Sequence, residues 1–596
     1  MEATSHIGFT GLDWIIVVSV LVGTTLLASR LAKTQRNMHD FFLGGKQLPW
    51  YAVSASIVAT EISTVTFISL PFVVFREGGN LTYLQLGLIG SFIARCIVGY
   101  VLVPAYYKQS EANEVYSPYD YMGQRLGEGV RRLMTLMFTI GGILGQAARV
   151  YLTALVLEII LYREFGIIAD AWGIEPMLLS MCIIGSVSIL WTLLGGIATV
   201  VWTDALLFLL FIVGVVVTLV TLHTHIGGGL PEAFAQGAEA GKFVFWDFDT
   251  SPTKAYTFWT ALFAVTWSGV GSYGTDQMLA QRLLCCRSER DARKAIILSI
   301  FGLGITLAVA LIGIGLWSYY SEFPLTGEAA RLVAEKGDRI YPIFISDVIP
   351  DGLRGLVLAG AFAAAVSSMD SILAALSQTT LSGLLLPARR ARLAQQGQPF
   401  DSAVEDRFAI RTSRRLIVFW GITLILCALG IEAAAAHYDS ILDLALAMAT
   451  YTAGGLLAGF FLALLNRPET AKGLYWSAPL SMLSVFAIVW HTPGAIHVSY
   501  GILACAIVLW SVLRLREAFR QSTLRNELVP TASFLLLCAL IALVATHGYS
   551  LRRDGRIMVL AWPWYVPIGS IVAFFGAMAL TPKEPSPASN GSNGPP

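Results

Sequence analysis

The chain has 596 residues, 56% of them hydrophobic and 13% charged, with 40 basic against 39 acidic side chains. A soluble domain carries about 25% charged residues, so the composition excludes an ordinary soluble globule, and a formal net charge of +1 leaves no footprint for nucleic acid. Seven cysteines, five in apolar runs and Cys285-Cys286 adjacent in a basic loop, match neither a disulfide framework nor a metal-binding spacing.

Residues 1–13 hold Glu2 and Asp13 but no lysine or arginine, unlike the basic start of a signal peptide. The apolar run WIIVVSVLVGTTLLASRLA (14–32) follows, near the length of about 20 residues that spans a bilayer. Arg30, Lys33 and Arg36 close it, which predicts a retained helix with its N-terminus outside. Fifteen spans are predicted at 11–31, 48–74, 80–107, 130–161, 176–194, 198–223, 256–281, 293–318, 352–386, 412–434, 438–465, 472–490, 497–515, 528–547 and 559–581. Alternate connections, beginning with 30–47, carry most of the basic residues, including seven arginines between 387 and 415, and so face the cytoplasm. Arg552, Arg553 and Arg556 run against that pattern if all fifteen spans exist, so the expected range is 13–15 transmembrane helices.

Polar groups inside a bilayer are costly and therefore informative. In YAVSASIVATEISTVTFISLP (51–71), eight hydroxyl or carboxyl side chains interrupt the apolar pattern, which suggests a wetted or unwound helix. Glu61, Arg95 and Arg149 fall at similar depth in their spans; a buried ion pair, foremost Glu61 with Arg95, is the structural reading, and contact with a charged substrate or proton is the functional one. Asp204, in WTD, begins the 198–223 span, where a helix-start carboxylate at the interface is the plainer reading. In AVTWSGVGSYGTDQMLAQRLL (264–284), Gly269, Gly271 and Gly274 spell G-x-G-x-x-G, but no strand precedes them, so a helix break or close packing is expected rather than a dinucleotide site. This span opens a second set of five as 48–74 opens the first, and an odd number per set inverts the second against the first. Residues 319–351 read as an external segment with short helices, and the Pro/Ser/Gly/Asn-rich tail at 582–596 as disordered.

In FAAAVSSMDS (362–371), Ala364, Ser367 and Ser368 are spaced i, i+3, i+4, which places both hydroxyls beside the Ala364 carbonyl on one helix face. Ser367, Asp370 and Ser371 repeat the spacing one turn on, making two stacked layers of oxygen, the ligand type of hard cations. Serines alone would read as packing or back-bonding; the carboxylate of Asp370 requires a partner.

Four stretches, DFFLGGKQLPWYAVSASIVAT (40–60), LLGGIATVVWTD (193–204), GTDQMLAQRLL (274–284) and FAAAVSSMDS (362–371), together and in this order resemble the sodium:solute symporter family over about residues 10–515. The resemblance implies an all-α polytopic LeuT-type fold: a leading helix and cytoplasmic loop at 1–47, a first inverted repeat at 48–223, a second at 224–465 with the external 319–351 loop, and about four trailing helices within 466–581. It implies sodium (Na+) bound by Ala59, Ile62, Ala364, Ser367 and Ser368. In some members a second sodium site draws on the WTD carboxylate, here Asp204 with Ser367, Asp370 and Ser371. The sialic-acid branch is similar in Ser63, Thr66 and Gln85, but Gly145 stands where that branch has a substrate-clamping arginine, with Arg149 four residues on. Substrate contacts are therefore expected from Ser63, Thr66, Gln85, Gln146, Arg149, Trp267 and Ser272.

These readings describe a multi-pass cell (inner) membrane protein that imports a small polar organic solute with sodium, by alternating access, and is not an enzyme. A proton-coupled symporter using Glu61 and Asp370 is the alternative, and a membrane sensor a more distant one.

Overall fold

The computed structural model of the protein describes residues 10–32, 37–62, 64–112, 115–397, 401–435, 441–490, 493–521, 524–547, 551–553, 556–558 and 560–581. The tail at 582–596, expected to be disordered, lies outside the described residues. The leading helix is α1 (Gly11–Ala32). The first set of five comprises the broken pair α2 (Trp50–Glu61) and α3 (Thr64–Phe75), then α4 (Leu81–Glu111), α5 (Glu128–Ile160), α6 (Pro176–Leu194) and α7 (Ile197–His225). The second comprises the broken pair α8 (Thr266–Gly274) and α9 (Gln277–Leu284), then α10 (Glu289–Glu322), α11 (Leu353–Thr380), α12 (Ser402–Ala435) and α13 (Ile441–Thr450) leading into α14 (Ala453–Leu464). Four helices trail: α15 (Ala471–Val489), α16 (Pro493–Gln521), α17 (Leu524–His547) and α18 (Tyr565–Ala579).

Each of the fifteen predicted spans coincides with helix among the described residues. Among the described residues thirteen are long and apolar enough to cross a membrane unbroken, and α2 with α3, bent by 56°, makes a fourteenth. The fifteenth is divided between α8 and α9. The two sets of five thus open alike, each on a helix interrupted at mid-depth, the pattern of an inverted-repeat transporter.

Each break has a local cause. In α2 the Thr60 hydroxyl donates to the Ser56 carbonyl (2.8 Å), the side-chain back-bonding that bends helices, and Ile62 leaves helical geometry at φ −85°, ψ 88°. Between α8 and α9, the Asp276 carboxylate accepts the Met278 N–H (2.7 Å), an N-cap that starts a new helix where the old one stops.

The axial element is α11, which is buried along nearly its whole length. Its start is tied to α1 by a contact that sequence reading did not single out: Asp13 accepts the N–H groups of Gly352 and Gly355 (both 2.8 Å) and pairs with Arg354 (3.1 Å). A Cβ on Gly355 would stand 2.7 Å from the Asp13 backbone, so only glycine permits this approach.

At the other end of the chain, Leu551–Arg553 and Arg556–Met558 form an antiparallel hairpin. The next segment is anchored to the 226–255 loop, where the Ala561 N–H donates to the Pro252 carbonyl (3.0 Å). The three arginines that run against the charge pattern therefore lie on the face of the 226–255 loop. That placement is what fifteen crossings require.

Candidate functional site

Two polar clusters flank the first broken helix. On one side α11 packs against both α2 and α3. Ala59, Ile62, Ala364, Ser367 and Ser368 are all buried there. The two oxygen layers inferred from spacing are present: Ser368 donates to the Ala364 carbonyl (3.2 Å), and Ser371 to the Ser367 carbonyl (2.7 Å). The Ser368 hydroxyl, which donates within its own helix, keeps its lone pairs for a cation. A helix that ends inside the membrane, as α2 does, adds last-turn carbonyls lacking intrahelical donors.

The second layer has a different composition from the one expected. Asp204 accepts hydrogen bonds from Ser367 and Ser56 (2.5 Å each) and pairs with Arg282 (2.9 Å). Arg282 also donates to Ser56 (2.7 Å) and Ser371 (2.5 Å), and both charged side chains are 1% exposed. Asp370 instead accepts a bond from Thr192 of α6 (3.1 Å) and makes no ion pair among the described residues. Beside the expected second sodium layer of Asp204, Ser367, Asp370 and Ser371, the structure thus adds a guanidinium, that of Arg282. The positive charge next to Asp204 is the guanidinium from α9, and Asp370 faces another helix.

On the other side of the break lies a cavity of about 170 Å³. Its polar end consists of Glu61, Thr66, Ser91, Arg95 and Tyr273; its apolar wall includes Leu84, Leu86, Val265, Leu303, Leu446 and Trp562. The expected pair of Glu61 with Arg95 is present. Tyr273 donates to the other Glu61 oxygen, its ring lies 4.3 Å below the Arg95 guanidinium, and Arg95 also bonds Ser91 and Ser299 (2.9 Å to the latter). Two π-helical turns, Leu86–Ser91 and Val98–Leu102, flank Arg95; such bulges concentrate at functional positions.

Arg149 is half-buried on α5, in the electrostatic reach of Asp276, Glu61 and Tyr83. Its guanidinium forms no ion pair or hydrogen bond among the described residues. Two buried amide oxygens, Gln85 Oε1 and Gln146 Oε1, are likewise without a hydrogen-bond partner there. Gln85 spends its amide N–H on the Tyr256 carbonyl (2.8 Å), and Gln146 directs its own at Met278 (3.4 Å).

Of the residues expected to touch substrate, Thr66 lines the cavity, and Ser63 lies outside the described residues. Two others face away. The Trp267 indole donates to Ser570 of α18 (2.6 Å), and Ser272 is exposed. The break at Thr275 sets the helical phase of α8, and that phase turns Tyr273 inward and its neighbour Ser272 outward. Sequence reading missed Tyr273, Trp562 and Arg282; only Arg282 left a signal, a lone arginine in the apolar run QMLAQRLL that requires a buried partner.

Paired broken helices, a buried oxygen layer and a central cavity in a helical membrane bundle define a secondary transporter of the five-plus-five type. The chain matches the family model of the sodium:solute symporter family over residues 41–479. It belongs to that family and is a sodium-coupled solute symporter. The relatives it resembles include "Sodium-coupled monocarboxylate transporter 2" of Danio rerio (28% identical, covering 77% of this chain and 69% of the relative). Others are "Sodium-coupled monocarboxylate transporter 1" of Homo sapiens (26%; 83% and 75%) and the human "Sodium/iodide cotransporter" (24%; 80% and 70%). A solved structure of a Na+-coupled sialic acid symporter in a substrate-bound outward-open state shares the fold, with TM-score 0.67 and 21% identity over 96% of this chain and 97% of that one.

Proposed function

We propose that this symporter imports a small organic anion, a monocarboxylate with a short apolar tail, by alternating access. The observation that carries the reading is the Arg149 guanidinium, a charge that the sequence puts near the middle of its span and that has no partner among the described residues. A half-buried guanidinium keeps donors open to a ligand, and a carboxylate matches its forked donors in a bidentate geometry. The amphipathic cavity, whose Glu61 and Tyr83 lie within electrostatic reach of Arg149, supports a solute with one charged and one apolar end. The relatives' printed solutes, monocarboxylates and iodide, support the same charge sign.

In this reading sodium occupies the layer of Ala59, Ile62, Ala364, Ser367 and Ser368, and the repeat units are 48–223 and 224–465. Helix α2 carries sodium contacts and Glu61 within one turn, so ordering the break by sodium shapes the cavity for solute, which is how coupling arises. The N-terminus and the 226–255 loop face outward from the cell membrane.

The test is uptake of radiolabelled propionate into proteoliposomes under an inward sodium gradient. Accumulation that requires sodium, and that propionate's neutral amide fails to inhibit, is expected. Preferential accumulation of a neutral sugar, or full accumulation with potassium in place of sodium and no proton gradient, overturns the reading.

A further inference from the structure

The family match ends at residue 479, yet the cavity wall does not. Trp562 comes from the turn Trp562–Trp564 that leads into α18, and it stands in the wall with Val265, before α8, and Leu446 of α13. The turn is held to the second repeat at several points. Ala561 donates to the Pro252 carbonyl (3.0 Å), Ser268 donates to the Pro563 carbonyl (3.1 Å), Trp267 donates to Ser570 (2.6 Å), and Tyr565 stacks on Tyr451 with ring centroids 6.5 Å apart. The helix that follows packs between α14 and α15. A large indole is therefore carried to the cavity by a rigidly braced segment, at its apolar end, remote in sequence from the polar end at Glu61 and Arg95.

We propose that Trp562 is a specificity-determining residue that sets the length of apolar tail the solute can carry. This rests on the reading of the cavity as the solute site. The physical argument is one of excluded volume. A tail extending from the charged end toward Val265 and Leu446 meets the indole, and each methylene that finds no room forfeits its burial. Shortening the side chain to a methyl opens that space without touching the hydroxyl and carbonyl layer between α2 and α11.

The experiment measures sodium-dependent thermal shift and inhibition of propionate uptake in proteoliposomes with straight-chain acids, amides and alcohols of two to eight carbons. It uses the full-length chain and its Trp562→Ala and Trp562→Phe variants. The wild type is expected to show a length limit, and Trp562→Ala to move that limit up by about two methylenes. The preference for six-carbon over three-carbon ligands then rises roughly tenfold, with half-saturating sodium unchanged within twofold. Trp562→Phe, which keeps an aromatic ring in the wall, gives a smaller shift in the same direction and stands in if the alanine variant fails to fold. An unchanged length profile in both variants, or an equal loss at every length, overturns the proposal. If amides or alcohols bind in place of acids but the limit still moves, the anion reading fails and the tail filter stands. If no ligand of any length stabilises the wild type in sodium, both fail.

Discussion

Around Asp204, one carboxylate and one guanidinium share Ser56, Ser367 and Ser371, and both charged side chains are 1% exposed. Glu61 is also paired, with Arg95 and Tyr273, but it is 32% exposed, and other polar groups on this side are left incomplete: Arg149 has no partner among the described residues, and the Gln85 and Gln146 oxygens accept nothing there. The same chemistry thus serves opposite ends. A saturated cluster locks α7, α9 and α11 together, because every donor and acceptor loses something when the helices part. An unsaturated one retains the interaction energy that a ligand supplies on binding.

The sharpest way to break this contrast is Arg282→Gln. It leaves Asp204 buried and unpaired, and the expected loss is about 3–5 kcal/mol of stability, read by thermal unfolding in detergent. The double variant Arg282→Gln with Asp204→Asn recovers much of it. A wild-type melting point together with a steeper sodium dependence would instead make the Asp204 layer an ion site. Arg149→Gln is next: solute affinity falls roughly 10- to 100-fold, about the 1.5–3 kcal/mol of a charge-assisted bond, while the melting point without solute holds, since no protein contact is lost. A fall in melting point as large as that of Arg282→Gln would place Arg149 with the structural cluster. Ser368→Ala follows, with half-saturating sodium raised about fivefold from the loss of one hydroxyl worth about 1 kcal/mol. Solute affinity at saturating sodium is expected to stay constant in that variant, and unchanged sodium affinity removes Ser368 from the site. The smallest effect is Ser272→Ala, within about 0.5 kcal/mol in stability and without effect on uptake, because the side chain is exposed. Any substantial change in solute affinity would return Ser272 to the cavity.

What the sequence made legible were features that repeat along one helix. The Ala364, Ser367 and Ser368 spacing is a property of 3.6 residues per turn, and the structure keeps the Ser368 bond to the Ala364 carbonyl while the Ser367 hydroxyl turns to Asp204. The span count was legible for the same reason, since apolar length is local. Partnerships across the chain were not. Arg282 and Asp204 lie 78 residues apart, and Asp13 and Arg354 lie 341 apart. Nothing local to a carboxylate says which distant cation completes it, so the spacing around Asp370 shows that it requires a partner but not which one. The inward face of α8 was equally hidden, because its phase is set by the break at Thr275 and by packing against α18, which turns Trp267 toward Ser570. Trp562 lay beyond the family-like region altogether, and only the folded chain brings it to the cavity.

The clasp between Asp13 and the start of α11 makes those two helices a built-in ruler. Gly352, Arg354 and Gly355 all donate to one carboxylate, and Gly355 leaves no slack between the backbones. A pair of spectroscopic probes on α1 and the first turns of α11 is expected to report one fixed length in sodium, in potassium and with solute bound. Every other distance measured during turnover can be calibrated against it.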